Sequence, residues 1–148
     1  MKVADVMERD LTALWEDSTL LDAVEVMFSH GLSGVPVVDE DYRVIGFISE
    51  KDVVRAALPG YVDYLQDALV IPDFGQFQVR LRRAGKEMVS KYMAKDVISF
   101  QEDDSDLYVA MTMIRHNIKR APVVRGGVLI GAVTRAALMG RMMEEVSS

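Results

Sequence analysis

Apolar residues recur at helical spacing at Ala23, Val24, Met27 and Phe28, and this period predicts a helix. Thr19 stands where a side-chain oxygen can cap its amino terminus, and Gly31 stands where a left-handed residue can end it. Two short apolar runs rich in β-branched residues follow, Val35 to Val38 and Val44 to Ile48. The polar Asp39-Glu40-Asp41 between them predicts a hairpin turn. A second helix is expected from Glu50 to Leu58, and ahead of the first lie a short helix, Val3 to Met7, and an extended segment, Leu11 to Trp15.

The pattern then returns. Met7-Glu8-Arg9-Asp10 recurs as Met93-Ala94-Lys95-Asp96, an offset of 86 residues. The same offset carries Glu16-Asp17 to Glu102-Asp103, Met27 to Met113, His30 to His116, and Pro36-Val37-Val38 to Pro122-Val123-Val124. One deletion later, Gly46-Phe47-Ile48-Ser49 aligns with Gly131-Ala132-Val133-Thr134. The second copy therefore predicts a short helix from Val89 to Met93 and an extended segment from Val97 to Phe100. A helix capped by Ser105 and carrying Leu107, Ala110, Met111 and Ile114 comes next and ends at Asn117. Strands Ala121 to Val124 and Val128 to Val133 then turn at Gly126-Gly127, before a last helix from Arg135 to Met143.

The order β-α-β-β-α, met twice, predicts a mixed α/β (α+β) fold. Each copy is too small to be comfortable alone, so the two are expected to bury apolar faces against each other. The divisions are residues 1–58, a connection over 59–88, and 89–148. Pro59-Gly60 and Pro72 break the connection, while Leu65, Leu69 and Phe74 to Arg83 suggest short helices within it.

Charge and composition narrow the function. Of 148 residues, 23 are acidic and 17 basic, for a net charge of −6, which disfavours nucleic acid or a membrane surface as the main partner. With no cysteine, disulfides, thiolate metal sites and cysteine nucleophiles are excluded. The amino terminus lacks the apolar core of a secretory signal and no apolar run could span a bilayer, so a soluble cytoplasmic protein is expected. There is no Walker-type phosphate loop, dinucleotide fingerprint or His-Glu-x-x-His helix, so the reading is a non-enzyme.

Three features recur in order in both copies: Met-x-x-Asp, a Pro-Val-Val strand start, and Gly-h-h-[Ser/Thr] before the last helix, where h is apolar. Together they resemble the cystathionine-beta-synthase-type (CBS) domain pair, or Bateman module, over nearly the whole chain except the connection. The resemblance implies two repeats packed by pseudo-two-fold symmetry with two clefts between them. It implies adenine nucleotides or related adenosyl compounds as ligands, such as AMP, ADP or ATP, and association into a homodimer. With no effector domain in these residues, a stand-alone module that signals to a separate effector protein is expected. The alternative is a dimerisation scaffold that holds no ligand.

Carried over residue by residue, the resemblance makes the clefts unequal. The first would combine Phe47, Ile48, Ser49 and Asp52 with Val97, Ile98, Ser99 and Ile118, Lys119, Arg120, Ala121 and Pro122. There Asp52 can accept hydrogen bonds from a ribose cis-diol, the apolar residues can wall a flat base, and Lys119 and Arg120 can meet phosphate. In the second cleft Ala137 stands in place of the ribose-binding Asp and Ser33-Gly34 in place of the basic pair, leaving Thr134. Plainer readings stand beside these. Asp52 three residues after Ser49 also fits a capping box, and Lys119 and Arg120 also fit solvated surface charges. Phe47, Ile48 and Val97 suit a core either way, the ten methionines mostly suit helical core positions, and Arg80, Arg82, Arg83 and Lys86 suit a solvated helix face. His30 and His116 suit helix ends, where the dipole favours them.

Overall fold

The computed structural model describes residues 1–58 and 74–147. Leu65, Leu69, Pro72 and Pro59-Gly60 lie outside them. After a 3-10 turn, Val3–Asp5, come β1 (Leu14–Trp15), α1 (Leu20–His30), β2 (Gly34–Val38), β3 (Val44–Ser49) and α2 (Glu50–Ala57). Then follow α3 (Phe74–Ala84), a second 3-10 turn Val89–Lys91, β4 (Phe100–Gln101), α4 (Asp106–Arg115), β5 (Arg120–Arg125), β6 (Val128–Thr134) and α5 (Arg135–Ser147). Two three-stranded sheets form, ordered β1-β2-β3 and β4-β5-β6, so the chain is mixed α/β. β4 runs parallel to β5 and β5 antiparallel to β6, with a register shift at Val123/Val124.

The helix signals act as read. Thr19 Oγ1 accepts from the Asp22 N–H and Asp22 returns a carboxylate oxygen to the Thr19 N–H, a reciprocal cap. Ser105 Oγ accepts from the Tyr108 N–H. At the other ends, Gly31 has φ +65° and Asn117 φ +53°, and each is followed by the same closing bond, Leu32 N–H to Met27 O and Ile118 N–H to Met113 O. The lead-in segments are shorter than expected: tight 3-10 turns end at Asp5 and Lys91, two residues before the methionines Met7 and Met93.

The residues group into two compact units that do not follow the repeat boundaries. One holds Ala13–Val37 and Ile45–Lys95; the other holds Met1–Thr12, Val38–Val44 and Asp96–Ser148. Met7 to Asp10 thus lies in the unit built mainly from the second repeat, and Met93 to Lys95 in the unit built mainly from the first. In the first unit Ala94 pairs with Phe47 through two backbone hydrogen bonds of 2.9 Å. In the second, Glu8 pairs with Ala132 through two of 2.8 Å. The apolar anchors go with them: Val89 joins the core of Leu20, Met27, Val35, Val37 and Ile48, and Val3 joins that of Phe100, Val109, Met113, Val123 and Leu138. Full burial of a Val or Leu side chain stabilises by about 1.5–3 kcal/mol, so each lead-in is held by packing as well as by its bridge.

Helical spacing overstated two faces. Ala23 and Met27 are buried, but Val24 and Phe28 face outward; in α4, Val109, Ala110 and Met113 fill the core while Leu107, Met111 and Ile114 stay exposed. Of the methionines only Met27 and Met113 are buried, and Met1, Met88, Met111, Met139 and Met143 are exposed. Arg80, Arg82, Arg83 and Lys86 are exposed, as a solvated face requires.

The glycine of each Gly-h-h-[Ser/Thr] motif has a reason in this pairing. A Cβ on Gly131 would collide with the Glu8 backbone carbonyl, and one on Gly46 with the Met93 side chain. A backbone carbonyl in a bridge cannot move aside, whereas a thioether can re-rotate. Gly131→Ala should therefore destabilise by about 2–3 kcal/mol and Gly46→Ala by about 1 kcal/mol, read from urea unfolding midpoints. Equal losses would show that the two contacts do not differ in rigidity.

Candidate functional site

The candidate residues fall into two sets, one in each unit. In the first unit Ile48 is fully buried and Phe47 partly so, both on β3. The Phe47 ring lies against Gly34, where a Cβ would collide with it. Ser49 ends the strand and begins α2. Its N–H and hydroxyl both donate to Asp52 Oδ2, at 2.9 and 3.0 Å. The other oxygen, Oδ1, lies 3.6 Å from an Arg55 guanidinium nitrogen. The Asp52 side chain is only 13% exposed, so its carboxylate is fixed in direction, with Oδ2 engaged in the cap and Oδ1 facing a cation that is itself 64% exposed. The capping reading and a ligand-binding role are compatible, because a carboxylate has about four lone-pair positions.

In the second unit Val97, Ile98 and Ser99 lead into β4; Val97 and Ile98 are partly buried and Ser99 exposed. Ile98 and Ile118 pack on the core there, and Ala121 and Pro122 are buried in β5. Lys119 and Arg120 differ sharply. Lys119 is exposed and has no ion pair among the described residues. Arg120 is committed: one guanidinium nitrogen lies 3.2 Å from Glu8 Oε2 and the other 3.1 Å from Asp10 Oδ2, with its side chain 15% exposed. Arg120 therefore holds the Met-x-x-Asp segment to β5, and any phosphate it meets must share it with two carboxylates.

Asp10 is fixed from a second side. Its Oδ1 accepts from the Thr12 hydroxyl at 2.6 Å and the Thr12 N–H at 2.9 Å. These bonds, the hydroxyl first, and then the Arg120 charge hold the Asp10 carboxyl below its ordinary value. Glu8 and Asp10 escaped the sequence reading because more than a hundred residues separate them from Arg120. The one signal available was the repeated Asp of Met-x-x-Asp.

The corresponding positions of the other repeat carry the unequal set. Thr134 Oγ1 accepts from the Ala137 N–H at 3.1 Å, so the helix cap survives where the carboxylate does not. The backbone frames match: the Glu50 N–H donates to Ser33 O and the Arg135 N–H to Lys119 O, each at 3.0 Å. Among the described residues no group of three or more His, Cys, Asp or Glu is arranged to hold a metal. No helix among them is long and apolar enough to cross a membrane.

Known proteins share this pattern. The CBS domain profile matches residues 3–59 and 89–144. A Methanocaldococcus jannaschii protein, MJ1426, is 33% identical over 154 residues, covering 94% of this chain and 89% of that one. The chain spans 39% of a second protein of that organism, MJ1225, with 30% identity. Among solved structures, the CBS domain of a membrane protein from Sphaerobacter thermophilus superposes with a TM-score of 0.70 at 31% identity, over 95% of this chain and 86% of that one. The CBS-pair protein CBSX2 of Arabidopsis thaliana superposes at 0.79 with 21% identity, over 99% and 97%. CBSX2 has also been solved in complex with AMP, and that form superposes at 0.72 with 21% identity, over 99% and 98%.

A depressed carboxyl contributes stability above its unfolded pKa and loses it as pH falls through the folded value. Thr12→Val removes the largest cause of the Asp10 shift, so it should cost roughly 1 kcal/mol near pH 7, a hydrogen-bond-sized loss reduced by solvent screening. The cost should shrink as the pH falls below the ordinary carboxylate value and through the depressed folded one, where Asp10 becomes protonated first in the unfolded chain and then in the folded one. Thermal unfolding followed from pH 7 down through that range gives the comparison, and a cost independent of pH would rule out the carboxylate.

Proposed function

The chain belongs to the CBS domain family, and from that premise we propose that it is a regulatory sensor of adenine nucleotides rather than an enzyme. Each candidate residue has its own part in holding the ligand. Asp52 accepts the ribose hydroxyls, Phe47, Ile48, Val97, Ile98 and Ile118 flank the base, and Ser99, Ala121 and Pro122 line the remaining edge. Lys119 meets the phosphate. Ser49 supports Asp52 and opens a helix whose amino-terminal N–H groups favour an anion. Arg120 contributes chiefly by holding the Glu8–Asp10 segment in place.

The observation that carries this reading is the Asp52 carboxylate. It is mostly buried and locked in one direction at the head of α2, in a motif position where the opposite repeat has only Ala137. A cap alone needs no acid there, since Thr134 caps α5 without one. That the related CBSX2 has been solved with AMP supports an adenine nucleotide as the ligand class. AMP, ADP and ATP are the ligands to try first. The bound state acts on a separate effector protein through a change in relative stability of two conformations, which a ligand produces only by binding them unequally. The chain works as a homodimer in the cytoplasm, and the outward apolar side chains of α1 and α4 supply surface for pairing.

Titration with AMP, ADP, ATP, NAD and S-adenosylmethionine should raise the melting temperature by several degrees for at least one. At a hundredfold excess over Kd, binding stabilises by about 2.7 kcal/mol. No shift at millimolar concentration with any of them would favour the ligand-free dimerisation scaffold. Asp52→Ala should weaken nucleoside binding at least about tenfold, the loss of a charge-assisted bond, while Asp52→Asn keeps an acceptor for the Ser49 N–H and controls for the cap. Lys119→Ala should weaken ATP and ADP more than adenosine; equal losses would remove phosphate from its role.

A further inference from the structure

The backbone bridge that seats Glu8 does not call for an acid. Its counterpart in the other repeat is Ala94, which makes the same two-bond bridge to Phe47 with no carboxylate. The position of Arg120 is likewise taken there by Gly34. The Glu8 side chain therefore adds a charge that the matching bridge does without.

That charge lies beside the residues assigned to phosphate. One guanidinium, Arg120, faces two carboxylates, with Glu8 Oε2 at 3.2 Å and Asp10 Oδ2 at 3.1 Å. Exposure decides what a ligand meets. The Arg120 side chain is only 15% exposed, whereas that of Asp10 is 36% and that of Glu8 57%. The cation is covered and the acids are not. Thr12 holds Asp10 by its other oxygen, so this carboxylate cannot swing aside without breaking two more hydrogen bonds. Lys119, one residue before Arg120, is exposed and has no ion pair among the described residues. A single phosphate can sit on Lys119. A longer chain of phosphates that runs on toward Arg120 enters a corner of net negative charge.

We infer that Glu8 and Asp10 set the phosphate count, so that the chain takes a nucleoside monophosphate in preference to a triphosphate. The inference rests on the nucleotide reading above and adds the ligand's charge to it. A phosphate monoester carries about −1.5 to −2 near pH 7, and each further phosphate adds to this. At about 6 Å in water, one unit charge on the protein changes the affinity for one on the ligand by about threefold before salt screening. Two acids acting on a triphosphate multiply that factor.

Isothermal titration calorimetry of the full-length chain with adenosine, AMP, ADP and ATP, at low ionic strength and without magnesium, reads the order directly. The wild-type chain should bind AMP more tightly than ADP and ADP more tightly than ATP, with at least about fivefold between AMP and ATP. Glu8→Gln keeps the backbone bridge and should narrow that gap by about threefold, and Glu8→Lys should close or invert it. Adenosine carries no phosphate and registers any general damage to the site. ATP bound by the wild-type chain as tightly as AMP would overturn the inference, its phosphates then running elsewhere, for instance toward Arg135, which lines a groove with Lys119. An unchanged gap in both variants, or an equal loss for every ligand with adenosine included, would also overturn it and leave the nucleotide reading standing. Failure of all four ligands to bind the wild-type chain would overturn the nucleotide reading itself, and this inference with it.

Discussion

The architecture depends on a pair of two-residue bridges, Phe47 with Ala94 and Glu8 with Ala132. Each lays the Met-x-x-Asp segment of one repeat beside the last strand of the opposite one. A bridge this short has little strength of its own; backbone hydrogen bonds contribute about 1 kcal/mol net each. What makes it hold is the combination with buried Val3 or Val89, and with a glycine that leaves room, Gly131 for the Glu8 backbone and Gly46 for the Met93 side chain. Duplication alone would give two identical small domains. Exchange of the lead-ins makes each core incomplete without a segment from the other repeat, which ties the stability of both together.

The same bridging decides what the candidate residues are free to do. Arg120 sits beside the exchanged Glu8–Asp10 segment and is drawn into two ion pairs, while Lys119, one residue earlier, remains in solvent. A basic pair that reads as two equivalent phosphate ligands is thus divided between architecture and surface. Asp52 shows the converse economy. The cap it completes with Ser49 fixes its carboxylate, so orientation for a ligand comes with the helix start.

Local chemistry made much of this readable in advance. Gly31 and Asn117 both adopt positive φ and close their helices with matching bonds, because the same backbone requirement can be met by either residue type. Thr19 and Ser105 cap as their spacing demanded, and both hairpins form between the expected strands. The illegible parts are those set by distant partners. Nothing near Arg120 announces Glu8, and nothing near Gly131 announces its carbonyl. Helical period likewise locates an apolar face without saying what covers it: Ala23 and Phe28 read alike, yet one is in the core and the other almost fully exposed.

The central claim is that Asp52 receives a nucleoside. A crystal structure of the chain grown with AMP examines it at atomic level. The account requires density for the nucleotide with its ribose hydroxyls within hydrogen-bond distance of the Asp52 carboxylate, and its phosphate nearer to Lys119 than to Arg120. AMP bound elsewhere, with Asp52 still contacting only Ser49 and Arg55, would contradict it.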